Sequence, residues 1–115
     1  MVIFLTGENE INSFENKEEA EILLEEARNR IDEIDNELFN LIYQRTHIAK
    51  DIALAKEYLG MPVFDKTREE AVHAKIEKLS EENGIDAVII DQIVDMLTIL
   101  SKNEQNEILR RNNNG

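Results

Sequence analysis

From Ile31 onward, apolar side chains recur every three to four positions: Ile31, Ile34, Leu38 and Leu41, then Arg45, Ile48, Ile52 and Ala55. That is the helical period. Ile31, Leu38, Arg45 and Ile52 are spaced by seven, so a cation stands on the seam that its neighbours bury. A guanidinium keeps its proton, and burying it without a partner is costly, so Arg45 needs an anion. Lys56 follows eleven residues later, about 20° around the helix and roughly 16 Å along it. Two cations therefore face one groove. Their anion is either a protein carboxylate or a ligand.

Between about Lys17 and Tyr58 no glycine or proline interrupts the helical period. The pattern predicts one helix of about 40 residues, roughly 60 Å long. A helix of that length exceeds a compact domain of this size, so it must lie against another long helix, most economically its own copy. Gly60 can cap it in a left-handed conformation and Pro62 prevents its continuation. A second helix starts near Asp65 or Thr67; either can cap it, and Thr67 with Glu70 has the spacing of a capping box. Its apolar residues, Val72, Ile76 and Leu79, form a narrow stripe. Asn83-Gly84 breaks the chain. A third helix runs from about Asp86 into the 100s and is apolar on most faces from Ala87 to Leu100. The predicted fold is all-α, with three helices per chain, a very long first helix and an intertwined helical homodimer. Residues 1–16 have no helical period and read as a loosely ordered extension, 17–110 as one helical domain and 111–115 as a frayed tail.

Composition narrows the partners. The net charge of −12 over 115 residues argues against nucleic acid and anionic membrane. A small anionic substrate would have to be drawn by a local positive pocket, which Arg45 and Lys56 could supply. There are no cysteines, and His47 and His73 lack zinc-site spacing, so neither a thiolate metal site nor a zinc site is expected. Both histidines read as surface or boundary residues. No apolar run reaches the ~18 residues of a membrane span, and Val2–Leu5 is too short for a signal sequence. A cytoplasmic place is expected.

Further polar residues bear on the groove. Arg28 lies seventeen residues before Arg45, about 25 Å away along one helix. An antiparallel partner would bring its own Arg28 alongside Arg45 and Lys56. Asp65, Arg68 and Glu69 cluster in one turn at the start of the second helix, and Ser101 and Gln105 share a face of the third. The spacing of these eight residues, with the segments RNRIDEIDNELFNLIYQR, IAKDIALAK and PVFDKTREE around them, resembles the all-helical, AroQ-type chorismate mutases. The resemblance runs from about Ala27 to Ile108.

The resemblance implies an isomerase of phenylalanine and tyrosine biosynthesis that rearranges chorismate to prephenate without a cofactor. It implies that Arg45 and the partner's Arg28 clamp the two carboxylates, and that Lys56 reaches a carboxylate and the ether oxygen. Gln105 would give that oxygen a second hydrogen bond. Glu69 would accept from the ring hydroxyl with backbone near Asp65 helping, while Arg68 and Ser101 support the shell. A glutamine at 105 needs no protonation to donate, so activity should survive neutral pH. The chain is expected to be free-standing or a piece cut from a fusion. Two alternatives stay open: an isochorismate-pyruvate lyase on the same fold, against which Asp65, Arg68 and Glu69 argue, and a non-catalytic helical regulatory or scaffold dimer.

Overall fold

The computed structural model describes residues 13–114, and the expected extension at residues 1–16 falls mostly outside that range. Among the described residues the secondary structure is three helices and no strand: α1 (Lys17–Leu59), α2 (Lys66–Asn83) and α3 (Ala87–Asn114). No helix among them is long and apolar enough to cross a membrane. The chain divides into two units between Leu41 and Ile42, a boundary that falls inside α1.

The first unit holds the opening of α1. Asn16 caps it, its side-chain oxygen accepting the Glu19 N–H at 2.9 Å, while the Glu19 carboxylate accepts the Glu15 N–H at 2.9 Å. The first contact satisfies a donor that the first turn of any helix leaves without a partner, and the second ties the preceding residue to the same turn. Surface ion pairs, Lys17–Glu21 and Arg30–Glu33, follow along the helix. Ile22, Leu24, Ile31, Ile34, Leu38, Phe39 and Leu41 are all exposed.

The second unit comprises the rest of α1 with α2 and α3. Gly60 ends α1 at φ 71°, where an L side chain would be strained. Its N–H donates to the Glu57 carbonyl at 3.2 Å and that of Met61 to Lys56 at 2.8 Å, the paired bonds of a Schellman turn. Gly84 repeats the device after α2 at φ 66°, with bonds to Glu81 and Ser80. Asp86 then caps α3, accepting from Val88 at 2.9 Å and Ile89 at 3.2 Å.

Two local expectations change. Of the two possible caps for α2 the chain uses Asp65, whose carboxylate accepts the Arg68 N–H at 3.0 Å. With the helix opened there, Thr67 lies inside its first turn and cannot cap; Glu70 instead faces Lys66 at 3.8 Å. At the other end α3 continues to Asn114, beyond the point where fraying was expected. Arg110 and Arg111 both donate to Glu107 there, at 2.6 Å and 3.0 Å, and hold its carboxyl down to about 2. These i,i+3 and i,i+4 pairs run along the last turns of the helix.

Helices α2 and α3 pack directly on each other. The α1 segment of this unit meets α3 through long side chains, Arg45 to the Leu97 carbonyl and Lys56 to Gln105. The apolar interior is small: Ala49, Ala53 and Val94 are the buried hydrophobic residues among those described. What α1 and α3 leave between them is a cavity.

Candidate active site

Seven of the eight residues singled out in the sequence line one cavity of about 430 Å³ in the second unit: Arg45, Lys56, Asp65, Arg68, Glu69, Ser101 and Gln105. Arg28 belongs to the first unit, is exposed, and is not among the lining residues.

The seam cations come from α1. Arg45 is half-buried and its Nη1 donates to the Leu97 carbonyl at 3.1 Å. Lys56 is half-buried too. The Schellman turn at Gly60 reverses the chain over the helix end and returns the Val63 carbonyl to the Lys56 ammonium, 2.7 Å away. A second acceptor is the Gln105 Oε1, at 2.9 Å. Among the described residues, both cations are therefore held by neutral oxygens and neither by a carboxylate. Their full charge is left facing the cavity.

Gln105 lies one turn past Ser101 on α3 and is only 3% exposed. Its Oε1 is taken by Lys56, and its Nε2 donates to Ser101 Oγ at 3.1 Å. An amide nitrogen carries two protons and an ammonium three. One N–H of Gln105 and one of Lys56 consequently remain after the protein's own bonds are counted. Two donors, already oriented, converge at one end of the cavity.

The acidic side is set by α2. Asp65 is occupied as the helix cap. Glu69, one turn further on, pairs with Lys102 of α3 at 3.2 Å. Four cationic side chains (Arg45, Lys56, Arg68 and Lys102) share the lining with two carboxylates, Asp65 and Glu69, so the local field is positive in a chain of net charge −12. Ile48, Ile52, Val63 and Val72 add apolar surface to the same lining. This is a pocket for a small polyanion with an apolar body.

Sequence reasoning did not reach Lys102 or Thr98, both of which line the cavity. Lys102 directly follows Ser101 and sits within about 60° of Gln105 around a helix, so its position was open to inspection. The Val63 carbonyl is backbone and has no residue type to flag it. Neither histidine lines the cavity: His47 stacks on Tyr43 with ring centroids 5.9 Å apart, and His73 bridges Asp91 and Asp95 at 3.0 Å and 2.9 Å.

The family model for chorismate mutase type II matches residues 27–106, a span that holds all eight polar positions. A chorismate mutase of Methanocaldococcus jannaschii is 38% identical over 91 residues, which cover 79% of this chain and 92% of that protein. A match across most of both chains leads to one conclusion: the chain belongs to the type II chorismate mutase family.

Proposed function

We propose that the cavity binds chorismate and rearranges it to prephenate, exchanging a C–O bond for a C–C bond within one molecule. The observation that carries this reading is the pair of oriented donors, Lys56 and Gln105, each with an N–H left for a ligand. As the C–O bond breaks, negative charge grows on the ether oxygen. Donors fixed in advance around that position stabilise the transition state more than the ground state. Arg45, with the partner's Arg28, clamps the substrate carboxylates through the planar fork of each guanidinium. Clamping holds the enolpyruvyl arm over the ring and removes the freedom that the uncatalysed reaction must lose at its transition state. Glu69 accepts from the ring hydroxyl, and Arg68 and Ser101 support the shell.

The proposal includes a homodimer with two equivalent sites. Its support is the surface: Ile31, Ile34 and Leu38 of the first unit are exposed, as are Ile48, Val88, Ile93 and Met96 of the second. Large apolar side chains left exposed in such numbers mark an interface. On this reading residues 17–110 act as one functional domain, because Arg28 of one chain completes the cavity of the other. A cytoplasmic setting belongs to the same proposal, since a dianionic substrate does not cross a bilayer unaided and must share its enzyme's compartment.

The test is to incubate the purified chain with chorismate and identify the product. Prephenate is expected. Pyruvate with an aromatic acid would assign the lyase reaction instead, and unchanged chorismate would leave a binding or scaffold role.

A further inference from the structure

Lys102 occupies a position that the proposed mechanism leaves without a role. Its side chain is 29% exposed, and its ammonium is held at two points, 3.2 Å from Glu69 Oε1 and 5.2 Å from the centre of the Phe64 ring. Phe64 belongs to the turn that precedes the Asp65 cap. One cation thus ties the loop, α2 and α3 together at the cavity wall. An ammonium beside both an aromatic face and a carboxylate is fixed more closely than either contact alone would fix it.

The consequence falls on Glu69. Its Oε1 accepts one bond from Lys102, which fixes the carboxylate and leaves lone pairs on both oxygens, chiefly Oε2, to accept from a ligand. A free glutamate side chain would have to be ordered when the ligand binds, and that ordering weakens binding. Here the carboxylate is only 21% exposed and already held. A site built to hydrogen-bond a substrate hydroxyl also rejects analogues that lack it, and it does so more sharply when the acceptor is fixed.

We infer that Lys102 is the positioning residue for Glu69, and that through it the cavity selects a ring bearing a hydroxyl at the position Glu69 reaches. The inference rests on the proposed chorismate reaction. It does not make Lys102 catalytic, since the ammonium acts through Glu69 and not on the breaking bond.

The experiment compares kcat and KM for chorismate, and for the analogue with hydrogen in place of the ring hydroxyl, across the parent, Lys102→Gln, Lys102→Arg, Glu69→Gln and the double variant Lys102→Gln/Glu69→Gln. Lys102→Gln should raise KM for chorismate roughly fivefold, the scale of ordering one side chain, and leave kcat within about twofold. Its KM for the analogue should rise less, because the analogue feels the lost charge of the lining but not the released Glu69 carboxylate, so discrimination falls. Lys102→Arg should restore most of it, and in the Glu69→Gln background Lys102→Gln should add nothing. Equal losses on both substrates, or full additivity with Glu69→Gln, would show that Lys102 is only a structural tie and overturn the inference while the proposed reaction stands. A parent that leaves chorismate unchanged would overturn both.

Discussion

Lys56 gives one proton to the Val63 carbonyl and one to the Gln105 amide oxygen, and its chemistry follows from the one that remains. If that proton and the free N–H of Gln105 meet charge that grows only in the transition state, truncation should lower kcat more than it raises KM. Lys56→Ala and Gln105→Ala are each expected to reduce kcat on the order of a hundredfold, or about 3 kcal/mol, by steady-state kinetics on chorismate. Glu69→Ala should be milder and act mainly on KM. A Lys56→Ala protein with unchanged kcat would reduce Lys56 to a structural cation. At this scale the sequence was legible where a residue violated its surroundings. Arg45 showed itself by standing on an apolar seam, and among the described residues its partner is the Leu97 carbonyl. Lys102 violated nothing, being one more lysine on a partly polar turn, and only its approach to Glu69 separates it from the rest.

Helix ends were legible because capping depends on local chemistry. Gly60, Gly84 and Asp86 sit at the breaks that their residue types suggest, with the φ values or side-chain bonds that define caps. The choice between Asp65 and Thr67 was not legible, since both are good caps and the turn after Pro62 decides between them. Gly84→Ala meets no atom within 4 Å, so its cost is the left-handed backbone alone. It should destabilise the fold by about 1–2 kcal/mol in denaturant melts at fixed protein concentration, and Gly84→Asn by less. A second element-scale effect involves His73 of α2, which joins Asp91 and Asp95 of α3. The hydrogen bond that the imidazole donates to Asp91 is the main influence raising its pKa above 6.5; desolvation opposes it, and the Asp95 charge adds to it. Since the folded state binds the proton more tightly, the clamp's stabilisation is complete below 6.5 and is lost as pH climbs through the raised value. Melting temperatures of the parent and His73→Gln should differ by a few degrees at most at pH 6, because the pair is partly exposed, and converge at pH 9. A gap that widens with pH would contradict the assignment.

At the scale of the molecule, the shortage of buried apolar side chains among the described residues is the main fact. Among the described residues, Ala49, Ala53 and Val94 make a poor core for three helices. Meanwhile Leu38, Leu41, Ile93 and Leu100 stand exposed. The helical period of α1 and the apolar faces of α3 made this excess legible from sequence, whereas the positions those faces take up against a second copy depend on packing that no single-chain pattern encodes. Light scattering at micromolar concentration should give twice the 13.3 kDa of one chain, and a monomer would count against the account. The central claim is that a complete site needs two chains, with Arg28 from one and the cavity from the other. Mixing Arg28→Ala chains with Arg45→Ala chains tests it most directly, because a mixed dimer then carries one intact site and one lacking both arginines. After subunit exchange in equal amounts, prephenate formation should rise from the low level of either parent variant to about a quarter of the unmodified protein's rate. Mixtures that exchange subunits, as judged by native mass spectrometry, yet stay as inactive as the two variants alone would contradict it.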